Sequence, residues 1–100
     1  MKKIINGRKY DTDTAKCLSY DSNGYTGFQR CYEELYRKKT GEYFLYGEGG
    51  AMSKYTRSCG DNSWCGGEDI IPLTEQEAKA WAEEHCTADE YEEIFGEVEE

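Results

Sequence analysis

One hundred residues, 37% of them hydrophobic and carrying a formal net charge of −9, describe one small domain, residues 1–100, with a modest core. No apolar run approaches the about 18 residues of a membrane span, and the basic start Met1-Lys2-Lys3 leads into no signal-length apolar stretch, so no membrane partner and a bacterial cytoplasmic setting are expected. Nine Tyr, three Phe and two Trp supply enough large apolar surface for the chain to be expected to fold.

In chain order, Ile4 to Tyr10 reads as a β-hairpin, because Asn6-Gly7 accepts the positive φ of a type I′ turn. Asp11 to Lys16 fits a single helical turn, Cys17 to Asp21 a short strand, and Ser22-Asn23-Gly24 a break. Phe28 to Lys38 reads as a strand with no cleanly apolar face, one side of which is solvated. Lys39 to Glu42 turns the chain into the β-prone run Tyr43 to Tyr46, which Gly47-Glu48-Gly49-Gly50 is expected to end. Ala51 to Cys59 fits a short strand with Met52 or Tyr55 inward, Gly60 to Gly67 a loop, and Asp69 to Leu73 a last strand or a helix entry closed by Pro72.

Thr74-Glu75-Gln76-Glu77 is a capping box, with Ala78, Trp81 and Ala82 on the face turned to the sheet and His85 at the far end. Thr87-Ala88-Asp89-Glu90 is a second box, opening a short helix with Tyr91, Ile94 and Phe95 on one side. Gly96 stops that helix, and residues 97–100 read as a frayed acidic tail. The architecture expected is α+β: an antiparallel sheet of about four or five strands with one or two C-terminal helices packed on it.

The charges are segregated. Ser58 to Glu100 holds fourteen acids and one base, Lys79, whereas Met1 to Arg57 holds eleven bases and seven acids. The formal charges of −13 and +4 sum to −9. A one-signed field of this kind repels nucleic acid and membrane and attracts a basic protein surface, above all one built to grip a nucleic-acid backbone. Duplex DNA carries one charge per about 1.7 Å of axis, a density that carboxylates on helices approximate. Glu83, Glu84, Asp89, Glu90, Glu92, Glu93 and Glu97 are the candidates for such mimicry, with Trp64 or Tyr91 as apolar anchors. The plain alternative is a solvated helix face, which composition alone favours, and Trp64 is expected rather to fold back on the core. The scarcity of compensating Lys narrows the difference, since solubility does not require one sign. The bases Lys2, Lys3, Arg8, Lys9, Arg37, Lys38 and Lys39 fit edge protection or pairing with the acidic helices.

The five cysteines, Cys17, Cys31, Cys59, Cys65 and Cys86, cannot all pair within one chain, and none forms C-x-x-C. Free thiols are the expectation for a reducing compartment. The spacing Cys59-x5-Cys65 is not that of a zinc knuckle, and neighbouring His85 and Cys86 point apart on a helix, so neither a metal nor another cofactor is expected. A thiol- or metal-dependent enzyme built on Cys59, Cys65 and His85 is the competing reading, and no catalytic residue is assigned.

Three stretches carry a family resemblance. They are Lys3 to Ala15 (KIINGRKYDTDTA), Leu35 to Gly50 (LYRKKTGEYFLYGEGG), and Ser63 to Glu68 (SWCGGE) followed by Ile70 to Thr74 (IIPLT). Together they resemble small acidic proteins of phages and bacterial mobile elements, some of which are similar to anti-CRISPR inhibitors of type I effector complexes. The resemblance covers most of the chain and brings no catalytic motif. It implies a non-enzymatic monomer or weak dimer that binds a basic subunit of a CRISPR–Cas effector and keeps target DNA out, without itself binding nucleic acid. A mobile-element interaction module with another basic partner would share the same chemistry.

Overall fold

The computed structural model describes residues 1–99. Its strands are β1 (Lys2–Ile5), β2 (Arg8–Asp11), β3 (Lys16–Ser22), β4 (Cys31–Arg37), β5 (Tyr43–Gly49), β6 (Arg57–Gly60), β7 (Ser63–Cys65) and β8 (Gly67–Leu73), followed by helices α1 (Glu75–His85) and α2 (Ala88–Phe95). The fold is α+β. A four-stranded antiparallel sheet in the order β3-β4-β5-β8 forms the body, and β1-β2 and β6-β7 are separate two-stranded hairpins.

Asn6 and Gly7 take φ of 51° and 77°, the left-handed turn that closes β1 on β2. Residues 12–15 form a turn and a bend rather than a helix, with Asp13 N–H donating to the Asp11 side chain at 2.9 Å. The β3–β4 connection holds one 3₁₀ turn, Gly27–Gln29, and is stitched by Asn23. Its Oδ1 accepts from the N–H groups of Tyr25 and Cys31, each at 3.1 Å, and its Nδ2 donates to the Gln29 carbonyl at 2.7 Å.

Two expectations shift for one reason. The glycines after Tyr46 do not end β5; the strand continues to Gly49, paired residue for residue with β8. A Cβ at Gly47 would lie 1.9 Å from Cζ of Tyr55, whose ring rests on this bare stretch of backbone. The glycines give the segment after β5 a floor on which to lie. Residues 51–56 are therefore a covering loop with Tyr55 inward and Met52 exposed; the strand expected over Ala51 to Cys59 forms only at its end, in β6, and the region expected as loop beyond it contributes β7. Pro72 sits within β8, which is tolerated because β8 is an edge strand.

Both helices start as their sequences dictate. Thr74 and Thr87 accept from the N–H of Glu77 and Glu90, and those glutamates accept in return from the threonine N–H groups. Gly96, at φ 92°, closes α2.

The sheet is lined on both faces. On one, Leu35 and Leu45 pack against Ala78, Trp81 and Ala82 of α1, with Tyr91 and Phe95 of α2 at the margin. On the other, Tyr36, Phe44 and Ile70 pack under Tyr10 of the first hairpin. The phenol ring of Tyr36 stacks on Phe44 at 5.1 Å and Tyr10 meets Phe44 edge-on at 5.5 Å. The helix-side face also encloses a charge. Glu33, 4% exposed, accepts from Trp81 Nε1 at 3.2 Å and from the Tyr55 hydroxyl, and pairs with Lys54 Nζ at 2.7 Å. It ties β4, the loop and α1 together with every buried polar side-chain atom among the described residues satisfied.

Candidate partner-binding surfaces

The acidic helices are placed by their apolar faces. Ala78, Trp81 and Ala82 turn inward, which leaves Glu83 and Glu84 outward. In α2, Tyr91, Ile94 and Phe95 are half-buried, and Asp89, Glu92 and Glu93 are exposed, as is Glu97 beyond the cap. Among the described residues, Glu83, Asp89, Glu92, Glu93 and Glu97 take part in no ion pair. Lys79, the one base in this region, is taken by Glu75 at 3.5 Å.

Among the described residues no base of the N-terminal half forms an ion pair with these helices. Lys3 pairs with Asp69, Arg8 and Lys38 with Glu42, Arg30 with Glu48, and Lys54 with Glu33, carboxylates of the sheet and of the turn before β5. The negative field of the helices is thus left uncompensated from within.

Four predicted site residues differ from the set, the first being Glu84, whose Oε2 lies 3.7 Å from Nε2 of His85. Glu90 is occupied: the Thr87 N–H, then the hydroxyls of Thr87 and Ser19, hold its carboxyl below the ordinary range. Tyr91 leans on Phe95, ring centroids 5.0 Å apart, and belongs to the edge of the core rather than to a free anchor. Trp64 does not fold back; it is 63% exposed on β7. It precedes β8 whereas the helices follow it, and seven residues of strand span about 20 Å, so Trp64 lies off the opposite end of β8 from the start of α1. Of the predicted tail, Glu100 lies outside the described residues.

The cysteines depart from expectation. Cys59 and Cys65 form a disulfide, Cα atoms 5.8 Å apart: Cys65 stands opposite Arg57 in the β6–β7 register, and Cys59 is the extra residue at the bulge between Ser58 and Gly60. Cys17, Cys31 and Cys86 are free. Burial, then the charge of Glu34 beside Cys17 and of Glu33 beside Cys31, pushes both thiols up and keeps them protonated. His85 stacks on Trp81 at 4.7 Å with Nδ1 2.8 Å from Asp21 Oδ2. Among the described residues no three His, Cys, Asp or Glu side chains converge as metal ligands.

A second surface escaped the sequence reading. Register aligns Tyr20, Glu34 and Tyr46 in one row across β3, β4 and β5, and Tyr32, Glu48 and Glu68 in the next across β4, β5 and β8. Rings and carboxylates alternate over the half of the sheet that the first hairpin leaves uncovered. Glu34 accepts from Tyr32 at 2.9 Å and from Tyr36 at 3.1 Å, and the Tyr46 hydroxyl lies 2.7 Å from both Glu48 and Glu68. Burial, then the hydrogen bond and charge of Glu34, pushes Tyr32 up to about 12, and Tyr36 and Tyr46 are raised in the same direction. The period-2 alternation of Tyr32-Glu33-Glu34-Leu35-Tyr36 carried the signal, but only the register shows that its neighbours complete the pattern.

No helix among the described residues is long and apolar enough to cross a membrane. Comparison with protein-family models, with curated proteins and with solved structures finds no match to this chain.

Proposed function

We propose that this protein inhibits a CRISPR–Cas effector by seating its C-terminal helices on the basic surface that otherwise grips target DNA. The observation that carries this reading is the set of five exposed carboxylates, Glu83, Asp89, Glu92, Glu93 and Glu97, that engage no cation among the described residues. The resemblance in the sequence supplies the class of partner, and the charge supplies the mode. Occupancy alone suffices, so the protein works without catalysis. Complementary charge speeds encounter, and that advantage shrinks as salt rises.

The test is a DNA-binding competition with effector complexes of several subtypes, using the intact protein and the variant with Glu83, Glu92, Glu93 and Glu97 changed to Lys. Glu90 is kept because it caps α2. The native protein should displace DNA from one effector, and the variant should lose at least about tenfold in potency. Equal competition by both proteins removes the helices from the mechanism. Binding to another basic protein, with none to any effector, transfers the same chemistry to a different mobile-element partner.

A further inference from the structure

The half-open face of the four-stranded sheet bears three carboxylates, and few cations reach them. Arg30 alone does so, its Nη1 3.2 Å from Glu48 Oε1, while Glu34 and Glu68 pair with no cation among the described residues. Glu48 and Glu68 stand directly opposite each other across β5 and β8, an arrangement of like charges that disfavours the sheet. One Tyr46 hydroxyl lies between them, and its single proton can be donated to only one carboxylate at a time. Tyr20, 68% exposed, stands at the outer strand with its ring 6.2 Å from that of Tyr32. The opposite face of the same sheet, by contrast, is closed by the helices and the Tyr55 loop.

We propose that this face, formed by Tyr20, Tyr32, Glu34, Tyr46, Glu48 and Glu68, is a docking surface for an arginine-rich segment of a partner protein. Guanidinium groups match both halves of the pattern. Their planar fork pairs with carboxylates in bidentate fashion, and their faces stack on phenol rings. The chain itself shows the carboxylate half, where the Arg30 guanidinium rests on Glu48, and shows that a phenol ring on this face attracts a cation, since Lys38 Nζ sits 4.3 Å from the centre of the Tyr10 ring. A cation brought between Glu48 and Glu68 would relieve their repulsion on binding. Lysine supplies the charge without the planar stack, so the surface discriminates between the two bases. It lies on the side of the sheet away from the helices and acts independently of them.

The probe is an octa-arginine peptide, with octa-lysine for comparison, titrated into the full chain at moderate salt and followed by calorimetry and amide chemical shifts. Octa-arginine is expected to bind at least about fivefold more tightly than octa-lysine and to move the amides of β3, β4, β5 and β8 around the six residues. Tyr20→Ala should weaken octa-arginine about fivefold, and Glu34→Gln with Glu68→Gln at least about tenfold, with the amide spectrum of the free protein otherwise retained. Shifts confined to α1 and α2, or equal affinity for the two peptides, overturns the proposal. So does binding unchanged by the sheet variants but abolished by the helix variant carrying Lys at 83, 92, 93 and 97. Failure here leaves the effector competition untouched, because that assay reads the helix variant alone.

Discussion

The two faces of the four-stranded sheet use the same residue types to opposite ends. Glu33 and Glu34 are neighbours on β4 and point to opposite sides. Glu33 is enclosed by Trp81, Tyr55 and Lys54 and holds a helix and a loop to the sheet. Glu34 accepts two phenol hydroxyls on a half-open surface that no other element closes. A carboxylate with its donors enclosed is a structural tie, whereas one that still faces solvent is available to a partner. Position on the pleat, not residue identity, decides which role a glutamate takes.

Breaking the enclosed side should have the largest effect. Glu33→Ala leaves the Trp81 N–H and Tyr55 hydroxyl buried without an acceptor, and each such unsatisfied donor costs about 1–3 kcal/mol. Urea unfolding should show this loss, whereas Glu34→Gln should change stability by less than about 1 kcal/mol. Equal costs would erase the distinction between the faces.

Gly47→Ala comes next. The added methyl group displaces the Tyr55 ring, and overpacking of this kind costs about 1–3 kcal/mol. Tyr55→Ala removes the ring that the methyl strikes, so the double variant should fall well short of the sum. Full additivity would mean that the ring does not rest on Gly47.

The pH response sharpens the contrast. Burial works against the ionised form of Glu33, but the bonds from Lys54, Tyr55 and Trp81 outweigh it and hold the carboxyl below its ordinary value of 4.5. A lowered value in the folded state gives stability that is present above the unfolded value and lost as pH falls through the folded one. Acid unfolding below about pH 4.5 should therefore be shallower in Glu33→Gln than in the native protein. On the open face the sign reverses. Tyr32, raised to about 12, contributes stability that is complete below pH 10 and lost as pH rises through 12. Ultraviolet titration should show a phenol ionising late, and Glu34→Gln should bring it earlier.

The smallest global effect belongs to the disulfide hairpin. Cys59→Ser with Cys65→Ser should raise hydrogen exchange in β6 and β7, because those strands pair only with each other. Amides of Leu35 and Phe44 in the main sheet should stay protected, because the loss falls on the hairpin.

Local signals carried much of this architecture. Asn6-Gly7, the two Thr-x-x-Glu boxes, Gly96 and the inward set Ala78, Trp81 and Ala82 are visible in the chain because each depends on neighbours within four residues. The charge segregation was legible for the same reason. What stayed hidden depends on distant partners. Gly47 and Gly49 read as a strand end because nothing nearby announces that Tyr55 lies on the first and Ser53 on the second. Phe28 to Lys38 lacked a clean apolar face because Tyr36 is covered by a hairpin and Glu33 by its hydrogen-bond partners, neither of which hydropathy registers. The Cys59–Cys65 bond depends on a bulge in the β6–β7 hairpin and the alternating rings and carboxylates on register, neither of which spacing alone fixes.

The Glu33 junction also bears on the order of events as the chain folds. Its two hydrogen-bond donors stand 22 and 48 positions further along, so both contacts must wait until long stretches of chain have been drawn together. Contacts made after the rate-limiting barrier leave the speed of folding nearly unchanged and govern how long the finished molecule lasts. If Glu33 gains these partners only beyond the barrier, its loss speeds unraveling and leaves the folding rate unchanged, a split that stopped-flow kinetics of Glu33→Ala reads directly.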